Sequence, residues 1–528
     1  MIEYCGGLPL AITVLGGLLA TKQTLDEWED VLQHIKSYIF KEDDLRVNKV
    51  LSLSYNDLPC HLKLCFLYLG HFPEDFEIPT EELIQMWMGE GFIPQISHED
   101  SEYTMEYGGE QYLWELMQRC MVQVGEISKL GRIETCRIHD LMRDYCISKG
   151  KQENFLQITK KNIHSMEGSQ GRIGKIRRLA ITSESNDNCL NEYPYLRSLL
   201  YFMPSKEFYF KKSKLLRVLN LNSYQGKYLS NDIGHFIHLR FLSLKNSNIN
   251  QVPSFLGNLR CLHTLDLRLQ CLLELDPKLI VPNVFKEMEW LRHLYLPYQY
   301  RVSEKLELGN LSYLQTLLNV GPKTIKMPRG FQFNYLQILG FKYQFYRPLL
   351  GVKTIEVPHV IPILSSCPHI YKLVVESRIN KLLETRQFPP NLVELDLKYT
   401  DLEEDPMPTL EKLPNLKILR LLSYSFEDMA FSGKDMVCSE GGFLLLQYLL
   451  LDGLDKLEEW RVEEGAMPSL YHLKIESCRR LKRIPDGLRF VTTLQELDVK
   501  RMPKSFTDRL DEGGPDFDKV KHVPSLVF

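Results

Sequence analysis

Apolar residues recur along the last two-thirds of the chain in the pattern x-L-x-x-L-x-L. Clear copies occupy residues 215–221, 238–244, 261–267 and 290–296. Twelve copies have their first leucine or isoleucine at Leu216, Leu239, Leu262, Leu291, Leu314, Leu336, Ile370, Leu392, Leu416, Leu446, Leu470 and Leu494. Successive anchors lie 22 to 34 residues apart. Weaker copies at Ile176 and Leu196 extend the pattern upstream, and the copy at Leu314 has Asn319 where an apolar residue is expected.

This spacing indicates leucine-rich repeats, whose period is about 20–29 residues. In each repeat a short strand places alternate side chains in the core. One repeat cannot cover its own apolar face, whereas stacked repeats can. We therefore predict an α/β fold in which residues 151–528 form a leucine-rich-repeat solenoid, a horseshoe lined by a parallel sheet.

The side chains between the leucines are predicted to point out of that sheet. Aromatic, apolar and imidazole groups at such positions are candidate contacts for a protein partner, because aromatic residues dominate interface hot spots. The candidates are Phe241, Tyr295, Ile338, Ile418, Tyr448 and His472. The alternative is that these side chains simply pack against their lateral neighbours.

The first 150 residues follow a different, mainly helical pattern. Residues 1–40 contain an apolar helix and an amphipathic helix, and the second begins at a capping box, Thr24-Leu25-Asp26-Glu27. Residues 41–150 contain further helices and end in two short strands joined through Gly131, followed by a last helix from Asp140. Helices with a terminal hairpin are typical of a winged-helix domain. The prediction is an all-α fragment, then a winged helix, then the repeats.

Charge is divided unevenly along the 528 residues. Residues 1–150 hold 25 acidic and 12 basic residues, a net charge of −13, so the remainder carries +9 of the total of −4. An acidic winged helix is repelled by phosphates, so we expect no nucleic-acid partner. The basic start of the array is a candidate for docking on the acidic region, through Lys175, Arg177, Arg178, Lys211, Lys212, Lys214 and Arg217. Two unrelated solvated surfaces would give the same charge difference.

Cysteine usage and hydropathy place the chain inside the cell. Twelve cysteines are scattered from Cys5 to Cys478 without a CxxC pair, which favours free thiols over disulfides or a metal site. No apolar run approaches the roughly 20 residues of a membrane span. We expect a cytoplasmic protein without a metal, with the nucleus and the periphery of the plasma membrane as alternative locations.

Several short motifs occur in a combined order that is specific although each is weak. They are Gly6-Gly7-Leu8-Pro9-Leu10-Ala11, Cys65-Phe66-Leu67-Tyr68, Phe72-Pro73-Glu74-Asp75, Trp87-Met88-Gly89-Glu90-Gly91-Phe92 and Ile138-His139-Asp140. Over essentially its whole length the chain resembles plant nucleotide-binding leucine-rich-repeat (NB-ARC-LRR) disease resistance proteins. Within them it most resembles the coiled-coil class.

The resemblance implies an intracellular immune receptor that is closed with ADP and open with ATP. Its repeats would recognise a pathogen effector or a guarded host protein and restrain the switch. By the same resemblance Pro9 would lie beside the adenine, His139 would contact the β-phosphate of ADP, and Asp140 would position that loop. Ile138 replaces the methionine that the family has before this histidine.

The chain contains no G-x-x-x-x-G-K-[ST] motif, the loop that cradles phosphates. It therefore resembles the C-terminal portion of a receptor, with residues 1–40 matching the end of the small helical domain of NB-ARC. We expect no enzymatic activity and no tight binding of ADP or ATP by this chain alone. The remaining NB-ARC and coiled-coil regions would be its intramolecular partners in a full-length receptor.

Two other functions stay open on the sequence. F-box adaptors of ubiquitin ligases also place a small helical domain before leucine-rich repeats, although the winged-helix motifs count against that reading. An ATPase is the other alternative, and the missing phosphate loop argues against it.

Overall fold

A computed structural model describes residues 5, 7–39, 46–95, 104–159, 176–182, 193–203, 213–270, 279–328, 330–342, 355–379, 381–423 and 431–528. The chain divides into two compact units. The first comprises Met1–Ile249 and Cys261–Leu265, and the second comprises Asn250–Arg260 and Asp266–Phe528. The predicted Lys175, Lys211 and Lys212 lie outside the described residues.

The first unit begins with seven described helices and a small sheet. The helices are α1 (Pro9–Ala20), α2 (Leu25–Ile39), α3 (Arg46–Asp57), α4 (Cys60–Leu69), α5 (Thr80–Glu90), α6 (Met105–Gln118) and α7 (Asp140–Gln152). The sheet has the order β1 (Ile78–Pro79), β3 (Thr135–Arg137), β2 (Gln123–Val124), and its strands are antiparallel. Helices followed by this hairpin form the winged helix.

Helix α2 begins where its sequence predicts. The Glu27 carboxylate accepts a hydrogen bond from the backbone N–H of Thr24 (3.0 Å), and the Thr24 hydroxyl accepts one from the N–H of Glu27 (3.3 Å). These two bonds are the reciprocal pair of a capping box, which satisfies N–H groups that the first turn of a helix leaves unpaired.

Helix α3 contributes to two apolar clusters. Its Val50 joins Ala11, Leu15 and other side chains of α1 and α2. Its Leu51 and Tyr55 join the core of the winged helix. Helix α3, assigned from sequence to the winged helix, thus also covers the preceding helix pair.

The first unit continues as parallel strands. These are β4 (Gln157–Thr159), β5 (Arg178–Ile181), β6 (Ser198–Tyr201), β7 (Val218–Asn220) and β8 (Phe241–Ser243), each paired with the next in sequence. Strands β5 and β6 confirm the weak copies at Ile176 and Leu196, whereas β4 had no repeat pattern to predict it. Strand β9 (Thr264–Asp266) lies at the boundary between the units.

The second unit carries the longer run of parallel strands. In pairing order they are β11 (His293–Tyr295), β14 (Thr316–Val320), β16 (Ile338–Lys342), β17 (Lys372–Glu376), β18 (Glu394–Lys398), β19 (Ile418–Leu422), β21 (Tyr448–Asp452), β23 (His472–Glu476), β24 (Glu496–Lys500) and β25 (Ser525–Val527). The predicted parallel-sheet solenoid is confirmed.

Short elements return the chain between these strands. They include three two-stranded parallel ribbons: β10 (Ile280–Val281) with β12 (Arg301–Val302), β13 (Leu306–Glu307) with β15 (Ile325–Lys326), and β20 (Asp435–Cys438) with β22 (Glu459–Val462). They also include α8 (Val357–Ser365), α9 (Met407–Leu410) and α10 (Lys504–Thr507), beside short 3₁₀ turns.

One leucine of each strand stacks directly on the leucine of the next strand. In the second unit Leu395 pairs with Leu419, Leu419 with Leu449 and Leu449 with Leu473, and all four are fully buried. Parallel strands lie about 4.8 Å apart, so each leucine covers the one beneath it. This stacking is why one repeat alone has no core.

The imperfect copy at Leu314 contains a bulge. Asn319 has φ +63°, a left-handed conformation that asparagine tolerates better than most residues, and its amide donates a hydrogen bond to the Leu296 carbonyl (2.9 Å). The register shifts between Leu317 and Val320, and Val320 is fully buried. The expected apolar residue is therefore present one position later.

Candidate functional site

The three residues that resemble nucleotide contacts lie at helix starts. Pro9 is the first residue of α1 and is exposed. His139 is the N-cap of α7, and its Nδ1 accepts a hydrogen bond from the N–H of Leu141 (3.2 Å). Asp140 is the first residue of α7 and is exposed. The roles of these three residues in nucleotide binding stay predictions.

An ionic cluster joins the first helices to the winged helix. The Asp57 carboxylate at the end of α3 bonds the Lys22 ammonium and the Arg119 guanidinium, with Arg119 Nη1 2.9 Å from Asp57 Oδ2. Burial alone would raise the pKa of Asp57, but the two cations outweigh it and the pKa is lowered. Nearby, Gly17 of α1 lies so close to Arg119 that an added Cβ would be 2.5 Å from its carbonyl carbon.

Within the first unit, the winged helix and the first repeats share one hydrophobic core. Leu200, Val218 and Phe241 of the parallel strands belong to the same buried cluster as the winged-helix side chains. Gly89 of α5 permits the approach, because a Cβ there would be 2.9 Å from Val218 Cγ2 and 3.2 Å from Phe241 Cβ. Burial on this scale joins the two parts more firmly than exposed charges could.

A buried ion pair lies within this contact. Arg178 Nη2 is 2.7 Å from Glu90 Oε2, and the side-chain exposure of the two residues is 8% and 0%. The Arg178 guanidinium also lies over the rings of Phe155 (4.1 Å) and Phe92 (5.1 Å). An ion pair in such surroundings is costly to break, because either partner would be left as an uncompensated buried charge.

Further polar bonds cross the same contact. Glu82 of α5 accepts hydrogen bonds from the amides of Asn220 (2.8 Å) and Asn222 (3.0 Å), and Arg217 Nη1 donates to the Glu90 carbonyl (3.0 Å). The hydroxyls of Tyr68 and Ser198 are 2.9 Å apart. These polar groups on α4, α5 and the strand ends fix the register of the helices on the sheet.

The basic residues predicted to dock on the acidic region thus fall into two groups. Arg178 and Arg217 contact Glu90, whereas Arg177 and Lys214 have exposed side chains. The sequence singled out Arg178 as a surface cation, but the structure places it in the core. Glu90 and Glu82 were missed, and only the position of Glu90 in an otherwise apolar stretch could have indicated a buried acid.

Arginines also occupy one position of successive repeats, immediately before the strands. Burial and the neighbouring guanidinium groups of Arg217 and Arg177 lower the pKa of Arg197. Burial and the neighbouring Arg240 likewise lower the pKa of Arg217. The start of the array therefore carries a local surplus of positive charge.

Five of the six residues predicted to face a partner are buried, so the expectation that they are exposed is wrong for Phe241, Tyr295, Ile418, Tyr448 and His472. Ile338 is half-buried. Large side chains on neighbouring parallel strands cover one another, because the strands are only about 4.8 Å apart.

Particular neighbours account for this burial. The Tyr448 ring meets the His472 ring edge-on at 5.0 Å, and the Arg268 guanidinium lies 4.3 Å over Tyr295. Phe241 lies beneath Gly89 of α5. Whether any of the six residues binds a partner stays a prediction.

The outward sheet face of the second unit instead presents charges that neutralise one another. Lys372 Nζ is 3.1 Å from Glu394 Oε2, and Arg420 Nη1 is 2.8 Å from Asp396 Oδ1 and 3.5 Å from Glu394 Oε2. Burial alone would lower the pKa of Arg420, but the two carboxylates outweigh it and raise the pKa. A partner that binds this face would contact a preorganised network of ion pairs whose charges nearly cancel.

Two features are absent from the residues that the structure describes. No helix among them is long and apolar enough to span a bilayer. Within the same residues, no group of three or more His, Cys, Asp or Glu side chains is arranged to hold a metal ion.

The winged helix and the repeats each match a known family, and the whole chain matches known disease resistance proteins. Residues 72–146 match the winged helix domain of disease resistance proteins, and residues 195–329 match a leucine-rich repeat region. The chain is 39% identical over its whole length to the "Probable disease resistance RPP8-like protein 2" of Arabidopsis thaliana, covering 61% of that protein. It is 38% identical over its whole length to Disease resistance protein RPP8 of the same plant, covering 60%.

The chain therefore spans about three-fifths of the length of these relatives. Among solved structures, the leucine-rich-repeat ectodomain of the Arabidopsis thaliana membrane receptor kinase GASSHO1/SCHENGEN3 is 17% identical. The match covers 65% of this chain and 49% of that one, with a TM-score of 0.42.

Proposed function

This chain belongs to the disease resistance proteins that join a winged helix to leucine-rich repeats, and from that premise we propose that it is the recognition and coupling portion of an immune receptor. Its repeats recognise a pathogen effector or a guarded host protein in the cytoplasm. Its winged helix passes that event to the nucleotide-binding part of a receptor. The match of residues 72–146 to a winged helix favours this function over an F-box adaptor.

The shared core carries the coupling part of the proposal. Gly89, Val218 and Phe241 pack together while the Glu90–Arg178 pair is sealed beside them. A winged helix held in this way follows any displacement of the first repeats instead of sliding over them, because packed cores transmit strain. Surface charges, at about 0–1 kcal/mol per exposed pair, would be too weak for this task.

The part of the proposal that concerns the nucleotide switch follows from the resemblance to the family. Pro9, His139 and Asp140 would complete a site whose phosphate loop is supplied by a segment that carries the G-x-x-x-x-G-K-[ST] motif. The chain alone is proposed to have no ATPase activity. Calorimetric titration of the purified chain with ADP is expected to give no saturable heat at micromolar concentrations, and a micromolar dissociation constant would overturn this part.

The experiment that tests the receptor role is genetic. Plants in which the gene is disrupted are challenged with a panel of pathogens beside plants complemented with the intact gene. We expect increased growth of at least one pathogen in the disrupted line and restored resistance on complementation. Equal growth across the panel in both lines would contradict the proposed function.

A further inference from the structure

Three successive repeats at the end of the array place a cation at the same position. Lys456, Arg480 and Lys504 are spaced 24 residues apart and all are exposed. Each lies four residues beyond the end of a sheet strand, after Asp452, Glu476 and Lys500 respectively. We call these three residues the basic strip.

The main chain holds the strip in register. The N–H of Gly453 bonds the Glu476 carbonyl (2.9 Å), and the N–H of Ser477 bonds the Lys500 carbonyl (3.1 Å). Beyond the strip, the N–H of Lys482 bonds the Glu458 carbonyl (3.2 Å). Leu457 and Leu481, the residues that follow the first two cations, are buried and anchor their loops. The strip is therefore built by the repeat itself.

The cations of the strip are not neutralised by carboxylates of these repeats. Among the described residues no carboxylate forms an ion pair with Lys456, Arg480 or Lys504. The neighbouring Arg501 and Lys474 both bond Glu476, and Lys482 bonds Glu458 (2.9 Å). Glu476 and Glu458 are therefore already paired with other cations.

We propose that the basic strip docks an extended acidic segment of a protein partner. This inference rests on the proposed function, because it names the chemistry of the partner that the repeats recognise. A row of cations from consecutive repeats matches carboxylates presented along one chain, and charge complementarity of this kind gives specificity and a fast association rate.

The surroundings of the strip favour a narrow ligand over a broad anionic surface. Glu458 lies in the same loop as Lys456, the exposed Glu459 begins the next strand, β22, and Glu476 ends the strand before Arg480. Glu476 and Glu458 are paired with their own cations, whereas Glu459 forms no ion pair among the described residues and would repel a bilayer of anionic lipids or a nucleic acid duplex. An extended peptide can follow the strip without meeting Glu459.

The test measures binding of labelled poly-L-glutamate to the full chain by fluorescence anisotropy. The variant carries Lys456→Glu, Arg480→Glu and Lys504→Glu together. The matched control carries Lys305→Glu, Lys381→Glu and Lys412→Glu, which reverses the same number of exposed cations elsewhere in the second unit. A strip variant with glutamine at the three positions separates loss of attraction from added repulsion, and circular dichroism verifies that every variant is folded.

The strip reversal is expected to weaken binding at least about tenfold, and the glutamine variant a few-fold, because each exposed charge contact contributes modestly. The control is expected to stay within about twofold, and wild-type affinity should fall between about 50 and about 200 mM salt as screening increases. Equal losses in strip and control variants, or no loss in either, would overturn the inference. Tighter binding of single-stranded oligothymidylate or of phosphatidylserine vesicles than of polyglutamate would overturn the assignment to a protein segment.

The inference and the proposed function fail in distinguishable ways. If disruption of the gene increases pathogen growth while the strip variant binds polyglutamate normally, only the inference fails. If the strip binds as expected while disruption changes nothing, the proposed function fails.

Discussion

Replacing Arg178 by methionine removes the cation from the contact between the winged helix and the first repeats. Glu90 would remain, fully buried and 2.7 Å from where the guanidinium stood. Breaking a buried pair by removing one partner costs about 3–5 kcal/mol. The lost contacts of the guanidinium with Phe92 and Phe155 add about 0.5–2 kcal/mol each, partly replaced by packing of the methionine side chain.

Urea unfolding of the full chain is the assay, followed by tryptophan fluorescence. Trp87 is fully buried in α5, three residues before Glu90, and reports on this contact. If the slope is about 3 kcal/mol per molar urea, the Arg178→Met midpoint is expected to fall by about 1–2 M.

The companion variants separate the ion pair from simple loss of packing. Glu90→Gln added to Arg178→Met removes the uncompensated charge, so the double variant should be more stable than Arg178→Met alone. Additive effects of the two changes, or a single-variant midpoint within about 0.3 M of wild type, would refute the reasoning that charge burial dominates this contact.

Three further results are expected from the same structure. Gly89→Ala should lower the melting temperature by several degrees, because the added Cβ would crowd Val218. Gly16→Ala, which has open space around it, should be neutral or slightly stabilising. Equal effects of the two changes in differential scanning calorimetry would contradict the close approach of Gly89 to Val218. The pKa of Asp57 is lowered in the folded protein, so the carboxylate's contribution to stability is present above the unfolded pKa and is lost as pH falls through the folded pKa. Asp57→Asn should therefore flatten the dependence of the free energy of unfolding on pH between about pH 6 and about pH 3. An unchanged slope would count against this reasoning. Lys519→Met should leave the buried Asp516 with Arg509 as its remaining cation. Amide exchange in β24 and β25 should then become faster. Unchanged exchange there would show that the ion pairs of Lys519, Asp516 and Arg509 do not stabilise the end of the array.

The sequence predicted the repeats because their physics is periodic. Leu395, Leu419 and Leu449 recur at the spacing that stacks them, and no tertiary information is needed to see it. The helices before the repeats were also predictable from local signals, such as the capping box at Thr24 that begins α2. Asn319 shows the limit, since a one-residue bulge moves the core position without altering the repeat length.

The site was less predictable because burial of outward-facing residues depends on what covers them. Alternation places Phe241 and Tyr448 on the outer face correctly, but it cannot show that α5 covers one and His472 the other. Arg178 and Arg177 are adjacent arginines, and no sequence pattern shows that a carboxylate meets one of them. Only the approach of Glu90, 88 residues earlier in the chain, separates a core cation from a surface one.

The central claim is that the winged helix and the first repeats are one body with one core. Native-state hydrogen–deuterium exchange of the full chain tests it most directly, because cooperative units open with a common free energy. Amides of α5 and of β5 to β7 should exchange with the same opening free energy, and Arg178→Met should lower both by the same amount. If α5 opens at a lower free energy while the strands stay protected, or if the variant affects one element alone, the winged helix is a separate body and the account is wrong.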